Sequence, residues 1–179
     1  MVILVMHDEK RGVLVCKPVG EAVRPASSNT VVVSLRQLAQ LVSIVKKAHG
    51  LKLVHRDITP FNVYVVKEAA GTSGGGGGST RLLLSDWGGS KHVDTTEAHG
   101  QGHASVGTKG YAVADEELSW EQRDLLSLVY TCFSIHTGLV MGEERMGWEE
   151  SKGGLWEELE GAAREGNYDR MRKLLTMEV

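Results

Sequence analysis

Between Leu125 and Ile135 the chain carries Leu125, Leu126, Leu128, Val129, Cys132, Phe133 and Ile135 within eleven positions. Wound on a helix of 3.6 residues per turn, these side chains cover nearly every face. A helix apolar all round belongs inside a domain, wrapped by other elements. At eleven residues the run is too short to cross a bilayer, so its neighbours must come from protein. A chain of 179 residues suits one domain, or one and a fraction. At that length it can bury about 70% of its unfolded surface. Candidate wrapping elements are legible. Leu35, Leu38, Leu41, Val42, Val45 and Ala48 recur at three- and four-residue steps, which predicts an amphipathic helix that Gly50 is placed to end. Leu155, Trp156, Leu159, Ala162 and Ala163, then Met171, Leu174 and Leu175, read as two further packing faces. Gly153-Gly154 and Gly166-Asn167 mark the breaks between helices.

Strand patterns are shorter. Val2 to Met6, a turn at Asp8 to Gly12, and Val13 to Cys16 read as strand, turn, strand. Val63-Tyr64-Val65-Val66 and Arg81-Leu82-Leu83-Leu84-Ser85 read as a second hairpin. Gly71 to Ser79 connects them as Gly-Thr-Ser-Gly-Gly-Gly-Gly-Gly-Ser, a flexible linker in composition. A phosphate-binding P-loop needs a Lys-Ser/Thr pair after its glycines, and Ser79-Thr80-Arg81 does not supply one. A loop insertion of this length costs little, because closure entropy grows with the logarithm of length. The expected fold class is α+β, mainly α.

Composition narrows the partners. Twenty basic against 23 acidic residues give a net charge of −3, which leaves no electrostatic footprint for nucleic acid. Met1 to Met6 is apolar but ends at His7-Asp8-Glu9, which is too short for a secretory leader and has no basic start. No membrane association is expected. Cys16 and Cys132 both lie in apolar runs and read as buried free thiols, which suits a reducing compartment, cytoplasm or nucleus. A secreted effector that acts inside a host cell reads the same way.

The two ends of the second hairpin carry the chemistry. Residues 55–62, just before it, read His-Arg-Asp-Ile-Thr-Pro-Phe-Asn, and residues 86–88, just after it, read Asp-Trp-Gly. The first stretch fits H-R-D-x-x-x-x-N and the second stands where Asp-Phe-Gly would. On these residues the chain resembles the protein kinase family, by its C-terminal lobe. The details are most similar to kinase domains of fungal and oomycete type, including those of Crinkler effectors, through Lys17-Pro18-Val19-Gly20 and the Asp86-Trp87-Gly88 variant. The likeness runs from residue 1 to about residue 140. It implies residues 1–20 as the end of an N-lobe, its last β hairpin and hinge. Residues 21–179 would be a C-lobe with the glycine-rich insertion at 71–79.

The resemblance also implies roles. Asp57 would accept the hydrogen bond of the attacking hydroxyl, and Asn62 and Asp86 would hold magnesium on the phosphates of ATP. Oxygen donors without sulfur suit that hard cation. His55, Trp87 and Gly88 would support the site. Gly107-Thr108-Lys109-Gly110-Tyr111 resembles the close of an activation segment, and Asp115 would take the structural role of the glutamate that follows it. Arg123 to Tyr130 resembles the helix through the centre of the lobe, with Asp124 bonded to the catalytic-loop backbone. Gln40 to His49 resembles the helix that leads into that loop. Arg56 could anchor a phosphorylated activation segment, with Thr95, Thr96 and Ser105 as acceptors.

The chain departs from the family's pattern at several points. Thr59 stands where Ser/Thr kinases carry a lysine against the transferred phosphate; its hydroxyl could still hydrogen-bond. Tyr64 stands where a smaller residue floors the adenine pocket. The glycine-rich phosphate loop, strand lysine and helix glutamate of an N-lobe would precede residue 1. His92, Asp94, Glu97, His99 and His103 invite a metal reading, but Gly100 and Gly102 oppose the helix such a site needs, so a solvated segment is expected. The implied function is ATP-dependent phosphorylation of protein Ser or Thr. The alternative is a catalytically silent pseudokinase that binds a protein partner. Small-molecule kinases of the aminoglycoside type fit Arg56 and Gly107-Thr108 less well.

Overall fold

The computed structural model of the chain describes residues 3–8, 13–17, 20–23, 32–67, 80–93, 107–142, 148 and 153–177. The glycine-rich segment 71–79, Pro18 and Val19 lie outside the described residues, as do Asp94, Thr95, Thr96, Glu97, His99, His103 and Ser105. So do the side chains of the first two strands. The described part is α+β with helix predominating. In order it runs β1 (Ile3–Asp8), β2 (Val13–Lys17), β3 (Glu21–Ala22), α1 (Leu35–Gly50), β4 (Leu53–Val54), β5 (Val63–Lys67), β6 (Thr80–Leu84) and β7 (Lys91–His92). Then come α2 (Trp120–Thr137), α3 (Leu155–Arg164) and α4 (Tyr168–Thr176).

Helix α2 is the axis of the molecule. Its apolar run lies inside: every residue from Arg123 to Ile135 is buried. The helix starts on a capping box, in which the Ser119 hydroxyl accepts from Gln122 N–H while the Gln122 side chain accepts from Ser119 N–H. It ends where Gly138 takes the left-handed conformation at φ 76°. Around it, Leu38, Leu41, Val42 and Val45 of α1, Trp156 and Leu159 of α3, and Met171 and Leu175 of α4 join one continuous core. Helix α1 packs on α2 and α4, and α3 packs on α2 and α4. Trp148 completes the wall, edge-on to Tyr130 and Phe133 at centroid distances of 5.0 and 5.2 Å.

The second hairpin forms as the pattern predicts. Strands β5 and β6 are antiparallel with Val63 opposite Leu84 and Val65 opposite Leu82, and β3 adds to the other edge of β5. Val63, Val65, Leu82 and Leu84 face the core, and the intervening Tyr64 points the other way, as strand alternation requires. Helix α1 is pinned to β6 by Gln40, whose Oε1 accepts from Leu82 N–H at 3.0 Å. Strands β1 and β2 pair antiparallel as a separate hairpin with a register shift between Leu4 and Met6. A two-residue pair, β4 with β7, sets Val54 opposite Lys91. Among the described residues no helix is long and apolar enough to cross a membrane. Cys132 is a free, buried thiol.

Candidate active site

The loop from His55 to Asn62 leaves β4 and enters β5, and its backbone hangs from one buried carboxylate. Asp124 of α2 accepts from His55 N–H at 2.6 Å through Oδ2 and from Arg56 N–H at 2.8 Å through Oδ1. Asp124 is 3% exposed, so an unpaired charge there would be costly. A third donor completes the shell: His49 Nε2 lies 3.0 Å from Asp124 Oδ2, and its Nδ1 lies 2.7 Å from the Tyr168 hydroxyl. A carboxylate only accepts, so His49 carries its proton on Nε2 and accepts the Tyr168 hydroxyl at Nδ1. Further along, Ile58 C=O accepts from the Thr131 hydroxyl of α2 at 3.0 Å. The loop is therefore fastened to the central helix at both its start and its middle.

Fastened in this way, the loop presents Asp57 and Asn62 side by side. The Asn62 Nδ2 donates to Asp57 C=O at 2.9 Å and to Asp57 Oδ2 at 3.3 Å. The other carboxylate oxygen, Oδ1, accepts from both the backbone N–H and the hydroxyl of Thr108, at 2.7 and 2.8 Å. Thr108 reaches it because Gly107 runs hard against the Arg56 carbonyl, at φ 122°. From Gly107 to Tyr111 the chain is then locked to α2: Ser127 Oγ donates to Tyr111 C=O at 2.8 Å, and the Tyr111 hydroxyl meets Ser134 Oγ at 3.0 Å.

The Asp-Trp-Gly stretch arrives from the opposite strand. Ser85 N–H donates to Asn62 C=O at 2.8 Å, extending the β5–β6 ladder by one rung. Asp86 follows directly, exposed and left-handed at φ 60°. Trp87 packs against His55 with centroids 4.5 Å apart and the ring planes tilted by 58°, and its Nε1 donates to Leu84 C=O at 3.0 Å. His55 Nε2 donates to Ser85 C=O at 2.9 Å while its Nδ1 accepts from Asp57 N–H at 3.3 Å. One imidazole thus spans both loops. Gly88 lies close beside the Asp86 side chain, where a Cβ would stand 3.4 Å from Oδ1, in van der Waals contact.

Other expected residues fall as follows. Thr59 is 1% exposed and its hydroxyl has no hydrogen-bond partner among the described residues. It lies beneath the loop surface, so its hydroxyl is not presented to solvent. Tyr64 is half-buried on β5 beside Gly20, whose added Cβ would stand 3.0 Å from Tyr64 Cβ. Asp115 pairs with Arg164 at the end of α3, at 3.4 Å. The Arg56 guanidinium lies over the Trp120 ring at 5.3 Å, and Arg123 over the same ring at 4.7 Å.

Sequence reasoning passed over His49, Trp120, Thr131 and Tyr168. The His49–Tyr168 contact spans 119 residues and leaves no local trace. Trp120 did have a signal: Ser119-x-x-Gln122 is a capping box that starts the helix one residue after Ser119. Among the described residues no three His, Cys, Asp or Glu side chains converge as a metal cluster. The site's oxygen donors are one carboxamide and two carboxylates. No protein-family model matches the chain, and no curated protein is significantly similar to it.

Proposed function

We propose that this chain is the metal- and substrate-handling lobe of a protein kinase-like phosphotransferase, using ATP and magnesium to phosphorylate Ser or Thr hydroxyls of proteins. The observation that carries the reading is the pairing of the Asp57 and Asn62 side chains on a loop that a backbone bond joins to the residue before Asp86. Asp57 is held by Asn62 and Thr108, and Asp86 follows the rung that Ser85 makes with Asn62. In this reading Asp57 Oδ2 takes the hydrogen bond of the attacking hydroxyl, because Oδ1 already accepts two bonds from Thr108 while Oδ2 accepts only the 3.3 Å bond from Asn62. The donor set fits magnesium. Asn62 Nδ2 is spent on Asp57, which leaves the amide oxygen as the atom that would serve as a ligand. Asp86 adds a carboxylate, and the phosphates and waters supply the rest of the shell. Bound there, the ion would neutralise charge on the phosphoryl group in transfer. His55 keeps the two loops in register, and Asp124 keeps the Arg56 backbone in its left-handed turn.

Thermal stability with Mg-ATP tests this reading. At about 100 times the dissociation constant a ligand adds about 2.7 kcal/mol. Asp86→Asn should lose that shift. Asp57→Asn should keep it and lose phosphate transfer to a generic protein acceptor. No shift at millimolar nucleotide, with and without magnesium, would overturn the proposal. A second reading has its own support in Thr59, which brings no cation to the phosphate path and is buried besides. A chain that binds Mg-ATP, or only a protein partner, without turnover would follow from it. A nucleotide shift without transfer would favour that reading.

A further inference from the structure

We propose that Trp120 is a positioning residue for the loop that carries Asp57. Its ring holds the Arg56 guanidinium where an anion would otherwise be needed. The inference rests on the phosphotransfer reading and concerns how that site is assembled.

Arg56 is the strained point of the loop. Its φ of 73° is unusual for a residue with a side chain, and Asp57 follows it directly. Asp124 secures its backbone N–H at 2.8 Å. Its side chain has no such tether: Nε is buried with no hydrogen-bond partner among the described residues. The contact that the structure gives it is the face of Trp120, 5.3 Å from the guanidinium carbon to the ring centroid. A guanidinium over an indole face is attracted by the ring quadrupole, and more strongly once desolvated.

The ring is fixed in turn. Trp120 is 9% exposed and packs with Val54 and Val93 in a small core separate from the main one. Val54 immediately precedes His55, and Val93 directly follows β7, so Trp120 packs beside the residue that opens the loop. Arg123 lies on the same ring at 4.7 Å, with Nε donating to Leu118 C=O at 3.2 Å and Nη2 buried without a partner. Two cations on one ring repel each other, and the electron-rich indole that both contact offsets that repulsion. With the ring removed, Arg56 has neither anion nor aromatic partner among the described residues. The guanidinium would then seek water, residue 56 would relax from its turn, and Asp57 would swing off Thr108.

Trp120→Leu and Trp120→Phe separate this role from packing. Leucine keeps apolar volume without a quadrupole, and phenylalanine keeps an aromatic face. Hydrogen exchange of the full chain reads the assembly directly, because Arg56 N–H is one of the bonds at stake. In Trp120→Leu, residues 55–57 should exchange at least about tenfold faster while α1 and α2 stay protected. The turnover number should fall by a similar factor with the KM for Mg-ATP unchanged. Trp120→Phe should stay near wild type in both. Wild-type protection of the loop in Trp120→Leu would overturn the proposal. So would equal loss of protection in both variants spread through α1 and α2, the mark of a packing role alone. If the wild-type protein neither binds nor turns over nucleotide, the phosphotransfer reading fails, while the exchange contrast still decides what Trp120 does for the loop.

Discussion

Three residues other than glycine adopt left-handed backbones among the described residues: Lys52, Arg56 and Asp86. Lys52 turns the chain out of α1. The other two precede and form parts of the candidate site, where such strain, about 1–3 kcal/mol per residue, persists only if surroundings hold it. Asp124 is the chief restraint on Arg56. Asp124→Asn would turn an NH2 toward donors that need an acceptor, at His55 N, Arg56 N or His49 Nε2. The expected loss is roughly 3 kcal/mol of unfolding free energy in a urea titration. A loss under about 0.5 kcal/mol would show that the carboxylate is dispensable. Gly107 offers a sharper test of the contact between Thr108 and Asp57. A Cβ there would stand 2.6 Å from the Arg56 carbonyl oxygen, at a φ of 122° that side chains avoid. Gly107→Ala should therefore lift Thr108 away while α2 stays intact. The Thr108 amide proton, now bonded to a carboxylate, should move upfield in the NMR spectrum; an unmoved resonance would contradict the assignment.

At the scale of elements, α2 binds core and site into one unit. Its Phe133 is 0% exposed and lies edge-on to both Trp148 and Trp156, at 5.2 and 5.4 Å. Phe133→Ala should cost about 3–5 kcal/mol by chemical denaturation. Because Thr131 on the same helix holds Ile58 C=O, amide exchange in the loop of residues 55–62 should quicken as stability falls. Retained stability would mean that the site collapses around the missing ring. This helix was legible in the sequence because an all-round apolar run has no other home. Helix α1 and the β5–β6 hairpin were legible because their periods, 3.6 and 2, are local properties. The two C-terminal helices begin and end near the predicted glycine breaks for the same reason. What the sequence concealed was long-range. The β4–β7 pair is two residues long and joins Leu53 to His92. His49, on a helix whose apolar stripe was plain, gave no hint that its ring bridges Asp124 and Tyr168. Asp57, Asn62 and Asp86 could be named from motif spacing. The burial of Thr59 and the two guanidiniums on Trp120 depend on tertiary packing, which no short window records.

Across the whole molecule, one hydrogen-bonded line runs from α4 to the loop of residues 55–62: Tyr168 to His49 to Asp124 to the His55 and Arg56 amides. The line and the central core should make stability sensitive to alkali. Burial pushes the Cys132 thiol up from 9.0 to about 12. Burial first, then the nearby Glu121 and Asp124 charges, push the Tyr168 phenol up from 10.0 to about 12. In both cases the native state binds the proton more tightly than the unfolded chain does. Stability from these groups is therefore complete below pH 9.0 and declines as pH rises through about 12. The thiol accounts for a decline on the order of 4 kcal/mol over that window. Tyr168 is half-exposed and water moderates its share, so it steepens the curve only above pH 10.0. Urea midpoints measured from pH 8 to pH 11.5, at intervals of about half a unit, would trace the slope. Cys132→Ala should flatten the curve from its lower end. Tyr168→Phe should flatten only its upper part, and should lower stability by about 1 kcal/mol below pH 10.0 through the lost bond to His49. Parallel curves for Cys132→Ala and wild type would show that the thiol ionises without opening the core, and would remove α2 as the seat of the alkaline transition.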